Sequence, residues 1–129
     1  IVFADPQALA RLNAILHPQM FRRVEELLEQ FAKEGTKVVV LEAAILVEGG
    51  WKPLVDEIWT VTSPKEAVVT RLKDRSGLGT EQVESRMRSQ MSTEEQVRQA
   101  DEVIVNDRDM DGLREIVCHT WNKRISGMG

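Results

Sequence analysis

The 129-residue sequence contains a single cysteine, only two histidines and no excess of positive charge. Because a disulfide needs two thiols and a cysteine zinc cluster needs several, Cys118 excludes both within this chain and is compatible with a reducing cytoplasm. The net charge of −4 gives no general basic field for nucleic acid, so an anion site requires local arginines. No apolar run approaches the roughly 20 residues of a membrane-spanning helix. We therefore expect one globular cytoplasmic domain without nucleic-acid or membrane partners.

A short strand followed by a capped helix is predicted within residues 56–90, the stretch around which the chain is organised. The run Ile58–Val61 has the β-branched and aromatic content of a strand. Ser63 is predicted to cap a helix whose first residue is Pro64, and Glu66 stands where a capping box needs it. The chain thus passes directly from a strand into a helix.

The helix after Pro64 carries paired arginines. Arg71 and Arg75 are four residues apart, which places both guanidinium groups on one face. A hinge at Gly77–Gly79 then leads to a second helix that begins near Thr80 and includes Arg86. This pattern is typical of a lid in phosphate-handling enzymes, although the spacing alone also allows a solvated helix face that pairs with neighbouring carboxylates.

Helices and strands alternate along the rest of the chain. Because a residue before proline is disfavoured in the α conformation, we expect the first helix to break at His17–Pro18. The run Lys37–Leu41 lacks polar alternation, which favours a strand covered on both faces. The other predicted elements are a helix start at Asp5–Pro6, a second helix ending at Gly35, a turn at Gly49–Gly50, a helix from Ser92 to about Ala100, a strand at Glu102–Val105 and a helix over about Asp111–Arg124. This order predicts an α/β fold with a parallel sheet.

Two helices are expected to supply apolar faces to the core. Their members recur at helical spacing and are Phe21, Val24, Leu28, Phe31, Leu113, Ile116, Val117 and Trp121. We expect Cys118 to be buried as a small apolar residue. His119 lacks the neighbouring carboxylates or thiols that would indicate a metal site, so no metal ligand is predicted.

Five separated motifs cover almost the whole chain. They read FADPQALARLNAILHP (3–18), AAILVEGGW (43–51), VDEIWTV with SPKEAVVTRLKDR (55–75), RMRSQM (86–91) and ADEVIVND (100–107). In this order they resemble the C-terminal two-thirds of a dephospho-CoA kinase, a family of the P-loop nucleoside-kinase superfamily that also occurs within bifunctional coenzyme A synthases. The resemblance implies one partial domain over residues 1–129. It also implies an α/β parallel-sheet P-loop kinase fold without its N-terminal P-loop portion, with a helical lid at about 71–99.

The activity that this resemblance implies is transfer of a phosphoryl group from ATP, with Mg²⁺, to the ribose 3′-hydroxyl of dephospho-CoA. That reaction is the final step of coenzyme A biosynthesis, and positioning and charge neutralisation dominate such transfers. The resemblance implies that Arg71 lies against the adenine ring and that Arg75 reaches the phosphates. It implies that Arg86 closes over the transferring phosphoryl group as the catalytic arginine and stabilises its charge.

Four further residues receive roles from the same resemblance. Asn106 and Asp107 follow the last strand, where this kind of fold usually receives adenine. His17 and Glu48 fall in the motifs near the acceptor, dephospho-CoA. From the residues alone, His17 is also compatible with a helix-terminating role, and Glu48 with electrostatics at a helix end.

The sequence also departs from the family pattern. No G-x-x-x-x-G-K-[ST] motif is present, and the family's expected catalytic aspartate lies upstream of Ile1. The hinge carries Ser76 where the family has an aspartate, and Ala44 stands where it often has proline. We expect a preceding P-loop segment to be needed to complete the sheet, and the 129 residues to be inactive alone. Another small-molecule or nucleoside monophosphate kinase, or a non-catalytic nucleotide-binding descendant, are the alternatives.

Overall fold

The computed structural model describes residues 4–77, 79, 81, 82, 84, 85 and 91–128. The chain divides into two compact units, the first ending at Asp56 and the second beginning at Glu57. No helix within these described ranges combines the length and the apolar character that crossing a membrane requires.

The first unit is built on one long helix, α1, which spans Pro6–Lys33. Its start is fixed by Asp5, whose carboxylate accepts hydrogen bonds from two first-turn N–H groups at 2.9 and 3.2 Å. Its end is fixed by Gly35, which has a φ of 77°. There the Thr36 N–H donates to the Phe31 carbonyl at 2.9 Å, as in a Schellman motif. Both predicted ends are confirmed.

The predicted helix break at His17–Pro18 was wrong, because α1 continues through Pro18 without interruption. Proline lacks an N–H and so removes one helical hydrogen bond. Trp51, which is 3% exposed, contacts the rings of His17 and Phe21 edge-on, with centroids 6.5 Å apart in both pairs. These two rings flank Pro18 and lie one turn apart on a continuous helix. Packing of Trp51 against both therefore favours the unbroken helix and offsets the lost bond.

The predicted strand at Lys37–Leu41 was also wrong. These residues have no regular secondary structure, and Val40 is 77% exposed. A β-strand exists only where a neighbouring strand supplies hydrogen bonds, and the described residues of this unit provide none. The turn at Gly49–Gly50 is confirmed, since the Gly49 N–H donates to the Ile45 carbonyl at 2.6 Å and Gly50 has a φ of 71°. A 3₁₀ turn over Lys52–Leu54 follows.

The second unit contains a two-stranded parallel sheet in its described residues. Strand β1 (Trp59–Thr62) pairs with β2 (Glu102–Val105) in a register that runs from Trp59 opposite Glu102 to Thr62 opposite Val105. The helices of this unit whose bounds the structure describes are α2 (Lys65–Ser76), α3 (Thr93–Gln99) and α4 (Met110–Arg124), with a final 3₁₀ turn at Ser126–Met128. The α/β class and the parallel pairing are therefore confirmed.

Capping differs between the two helices for which it was predicted. At α3 the Ser92 hydroxyl accepts from the Glu95 N–H at 3.3 Å, as expected. At α2 the prediction was wrong, because Pro64 rather than Ser63 is the cap residue and no side chain caps the helix. The end of α2 is marked by Gly77, which adopts a φ of 61° at the predicted hinge. Beyond the hinge, the described residues 81, 82, 84 and 85 are helical.

The core of the second unit is centred on Ile58 and Ile104, which are both buried. On α4 the buried residue is Thr120, whose hydroxyl donates to the Ile116 carbonyl at 2.9 Å. Positions 116 and 120 share one helix face, whereas Cys118 lies about 200° around the helix from each of them. Cys118 is accordingly exposed, and its predicted burial was wrong.

The predicted apolar faces are less buried than expected. The four stripe residues on α1 are half-buried, and no residue of that helix is fully buried. On α4, Leu113 and Ile116 are half-buried, whereas Val117 and Trp121 are each more than a third exposed. Trp121 and Trp59 form a T-shaped pair with ring centroids 6.5 Å apart, and Trp121 is 38% exposed, so its ring is only partly packed on the core.

Candidate functional site

The candidate site lies where β1 and β2 end. Thr62 is the last residue of β1 and is in register with Val105, the last residue of β2. The Asn106 N–H donates to the Thr62 carbonyl at 2.7 Å and extends the pairing by one hydrogen bond. Because the strands are parallel, the next residues, Ser63 and Asn106, leave the sheet at the same edge. Both side chains are half-buried there.

Arg71 connects the two strand ends. Its Nη1 donates to the Ser63 hydroxyl oxygen at 3.2 Å, and its Nη2 lies 3.5 Å from the Asn106 carbonyl oxygen and 3.4 Å from Oδ1 of the same residue. Helix α2 starts just after β1, so two helical turns carry Arg71 back over the sheet edge. Arg71 thus contacts a hydroxyl and an amide, and not the neighbouring carboxylates that the alternative of a solvated helix face would pair it with.

Arg75 and Asp107, the other predicted residues of this edge, are close in sequence to Arg71 and Asn106, but their side chains form no hydrogen bond or ion pair with these two residues. The side chain of Arg75 is exposed one turn further along α2 and makes no hydrogen bond or ion pair with another described residue. Asp107 is exposed, with Arg108 Nε 4.0 Å from its Oδ1. The structure therefore brings Arg71 and Asn106 together and leaves Arg75 and Asp107 facing solvent. Arg86, the predicted catalytic residue, lies outside the described residues.

Ser63 is the site residue that sequence reasoning missed. Its position before proline and three residues before glutamate matched a helix cap so well that its hydroxyl was assigned to the helix. The signal that could have identified it is the spacing to Arg71, which is eight residues and so about two helical turns. A polar residue at a strand end, two turns before an arginine, can meet that arginine over the sheet edge.

The two predicted acceptor-side residues belong to the first unit. His17 is half-buried against Trp51, so the motifs at 3–18 and 43–51 meet through these two rings. Glu48 is exposed in the turn that precedes Trp51. Beside them is an open groove of about 700 Å³, lined chiefly by apolar side chains that include Leu16, Met20, Val24, Leu41, Ile45 and Trp51. A groove of this size can hold a small molecule.

A charged cluster occupies the opposite, amino end of the sheet. Arg124 holds the Glu57 carboxylate in a bidentate pair, with Nη2–Oε1 at 2.7 Å and Nε–Oε2 at 3.2 Å. The Trp59 indole N–H also donates to Glu57, at 2.9 Å, and Lys123 pairs with Glu102 at 2.8 Å. The hydrogen bonds from Arg124 and then Trp59 lower the pKa of Glu57, and the same pairing raises the pKa of Arg124. At this end of the sheet, Arg124 and Lys123 are thus paired with carboxylates of the same unit.

An α/β unit whose parallel strands end at an arginine-bearing edge belongs to the class of fold that receives ligands at the carboxyl ends of its strands. A family model described as dephospho-CoA kinase matches residues 1–112. The chain therefore belongs to the dephospho-CoA kinase family. The resemblance of its motifs to that family is thereby confirmed.

One relative and two solved structures illustrate what the chain is similar to. A dephospho-CoA kinase of Dehalococcoides mccartyi is 41% identical over 125 residues, which is 97% of this chain and 63% of the relative. A crystal structure of a Thermus thermophilus protein matches 95% of this chain and 63% of its own, with 31% identity and a TM-score of 0.72. A dephospho-CoA kinase from Campylobacter jejuni has the same fold, with a TM-score of 0.66 at 24% identity over 98% of this chain and 62% of its own. The chain thus spans about three fifths of the proteins it matches.

Proposed function

We propose that this chain forms the lid and acceptor-side part of an enzyme that phosphorylates the ribose 3′-hydroxyl of dephospho-CoA with ATP. The observation that carries the proposal is the arginine edge, where Arg71 is held between Ser63 and Asn106 at the carboxyl ends of two parallel strands. The Dehalococcoides mccartyi relative is a dephospho-CoA kinase, which supports this reaction.

In this proposal each arginine binds a different part of the nucleotide. Arg71 lies against the adenine ring, since a planar guanidinium tethered by its edge leaves its faces free for stacking. Arg75, exposed and one turn further on, reaches the phosphates. Arg86 closes over the transferring phosphoryl group and stabilises its charge. Asn106 acts at the adenine end by holding Arg71, and Asp107 adjoins it.

We propose that Mg²⁺ takes part as the ion bound to the phosphates of ATP. The described residues contain no group of three histidine, cysteine or acidic side chains that could hold a metal ion. In phosphoryl transfer Mg²⁺ is typically bound through one or two carboxylates and the substrate phosphates. In this proposal Mg²⁺ arrives with the nucleotide phosphates, and no step is assigned to a metal held by the described residues.

The acceptor, dephospho-CoA, is proposed to bind at the first unit. His17 and Glu48 lie in the two motifs that the ring contact of His17 with Trp51 joins. The neighbouring apolar groove is large enough for part of such a molecule. We propose His17 and Glu48 as contacts to this substrate.

We also propose that a P-loop segment outside these residues completes the sheet and supplies the phosphate cradle and the base. Parallel strands are normally covered on both faces and flanked by neighbours, yet Val61 is 58% exposed and Val103 and Val105 are exposed as well. The exposure of these valines is consistent with a further element of the protein that packs on the strands. A cytoplasmic location is proposed too, in keeping with the free and exposed thiol of Cys118.

The proposal is tested by the acceptor preference of the full-length protein. Turnover with ATP is compared for dephospho-CoA, AMP, CMP and UMP at equal concentrations. We expect phosphorylation of dephospho-CoA alone, with the product carrying the new phosphate on the 3′-oxygen. Preference for a nucleoside monophosphate would assign the chain to another kinase activity. Nucleotide binding without any phosphoryl transfer would indicate a non-catalytic descendant.

A further inference from the structure

Ser63 is a polar residue at the site to which the predicted mechanism gives no role. It follows β1 directly and precedes Pro64, the cap residue of α2, at which no side chain makes a cap hydrogen bond. The Ser63 hydroxyl is instead 3.2 Å from Arg71 Nη1. Since a guanidinium group has donors and no acceptor, the serine oxygen accepts this hydrogen bond.

The contact with Ser63 is the shortest of the three that hold Arg71. The other two, from Nη2 to the carbonyl oxygen and to Oδ1 of Asn106, are 3.5 and 3.4 Å long. The N–H bonds of a guanidinium lie in the plane of the group. These hydrogen bonds therefore lie around its edge and do not cover either of its flat faces. With Nη1 and Nη2 held by different residues, rotation of the group about its own stem is restricted.

Ser63 and Asn106, the two residues that accept hydrogen bonds from Arg71, both adjoin the ends of strands. Ser63 is the first residue after β1, and Asn106 the first after β2, and the 2.7 Å bond from the Asn106 N–H to Thr62 ties the two strand ends together. A guanidinium held at two points of one rigid edge loses less freedom when a ligand stacks on it. The hydroxyl therefore contributes to preorganisation and needs no contact with the ligand.

We propose that Ser63 is a positioning residue for nucleotide binding, whose hydroxyl fixes the Arg71 guanidinium so that one face is presented to an aromatic base. The inference rests on the proposed function and deepens it, because it assigns base affinity to a pair of residues rather than to the arginine alone. Thr62, its neighbour in β1, takes part only through its backbone carbonyl.

The test is a double-mutant cycle in the full-length protein with Ser63→Ala, Arg71→Ala and the combined variant. Binding of a non-hydrolysable ATP analogue is measured by calorimetry, and KM for ATP and kcat are measured at saturating dephospho-CoA. For Ser63→Ala we expect affinity and KM to worsen roughly three- to tenfold, the range of one lost hydrogen bond, with kcat nearly unchanged. Ser63→Thr keeps the hydroxyl and should restore affinity.

In the Arg71→Ala background, Ser63→Ala should have no further effect, because the hydroxyl then has no guanidinium to hold. An equal loss in both backgrounds, or an unchanged affinity in Ser63→Ala, would overturn the positioning role while leaving the nucleotide role of Arg71 intact. If Arg71→Ala itself leaves affinity unchanged, the proposed nucleotide role of that arginine fails. Thermal unfolding of every variant identifies any loss that comes from misfolding, and Ser63→Thr then decides the outcome.

Discussion

The two ends of the same short sheet differ in how their arginines are bound. At the amino end Arg124 meets the Glu57 carboxylate at 2.7 and 3.2 Å. At the carboxyl end Arg71 meets neutral oxygen atoms at 3.2 to 3.5 Å. One guanidinium is paired with a bidentate carboxylate, whereas the other is oriented by a hydroxyl and an amide and has no carboxylate partner among the described residues.

This difference suggests different roles for the two arginines, one in stabilising the fold and the other in binding a ligand. A charge that is already paired has little attraction left for an anion, and breaking the pair would cost energy. A charge that is only oriented remains available, and in α/β folds ligands bind at the carboxyl ends of strands. The pairing at the amino end therefore fits a role in stability, while the unpaired arginine at the carboxyl end fits the proposed nucleotide site.

The amino end also sets the alignment of the carboxyl end. The Ile58 N–H donates to Asp101 Oδ2 at 2.8 Å, and the Ile58 carbonyl accepts from the Asp101 N–H, also at 2.8 Å. This reciprocal contact fixes β1 against β2 where both strands begin. In a parallel pair a shift at the start is carried to the end, so the contact also keeps Ser63 level with Asn106.

The largest effect should come from the proposed catalytic arginine. In the full-length protein, Arg86→Ala is expected to lower kcat by roughly 10²–10³-fold, the loss seen when a charge-stabilising donor is removed, with a smaller change in ATP binding. Single-turnover rates and ATP-analogue binding measure the two quantities. The matched control is Arg114→Ala, because Arg114 is exposed on α4 and, among the described residues, pairs only with Asp111 of its own helix, at 3.2 Å. If both variants behave alike, Arg86 is an ordinary surface residue.

A smaller effect, on affinity rather than on rate, is expected at Arg71. Arg71→Ala should raise KM for ATP by roughly tenfold and leave kcat within about twofold, since stacking on a base is worth about 1–3 kcal/mol. Arg71→Lys keeps the charge but loses the planar face, so it should resemble alanine more than wild type. Steady-state kinetics with varied ATP test both. Full activity in the lysine variant would show that charge alone matters there.

At the amino end the response should be the reverse. Arg124→Met removes the pairing of Glu57 and should lower the thermal unfolding midpoint by a few degrees, with KM for ATP and kcat unchanged below the transition. Scanning calorimetry and kinetics on the same full-length sample measure both quantities. A rise in KM comparable with that of Arg71→Ala would contradict the functional separation of the two ends.

The sequence predicted those parts of the site that depend on local order. The family resemblance assigned both Arg71 and Asn106 to the adenine end, whereas local patterns predicted the strand and helix that carry Arg71 and the strand that ends just before Asn106. Both strands and the helix over Met110–Arg124 formed near their expected positions. Local signals suffice for such elements because each is decided by its own pattern of side chains.

The failures occurred where a distant partner decides the outcome. Trp51, 33 residues after Pro18, favours a continuous helix that the proline alone would interrupt. The run Lys37–Leu41 has the composition of a strand but lacks a pairing neighbour among the described residues. At Ser63 a local capping rule and a contact with Arg71 competed for one hydroxyl, and the contact was formed. No single-sequence pattern reports such competition.

The smallest expected effect concerns acid stability at the amino end. Hydrogen bonds from Arg124 and Trp59 lower the pKa of Glu57. The folded protein therefore binds fewer protons at this group than the unfolded chain, and stability falls as pH falls. The contribution is complete above the ordinary glutamate pKa of about 4.3 and is lost as pH drops below that value and through the lowered folded pKa.

Glu57→Gln removes this titration while keeping the shape of the side chain. The variant should be less stable than wild type near pH 7, and the gap between their unfolding midpoints should narrow steadily below about pH 4.3. Glu115→Gln is the control, because the Glu115 side chain is exposed on α4 and has no hydrogen bond or ion pair with another described residue. Midpoints measured at intervals between neutral and acid pH decide the matter. A constant gap at all pH values would mean that the carboxylate charge adds nothing and that the amino end, like the carboxyl end, is held by neutral geometry.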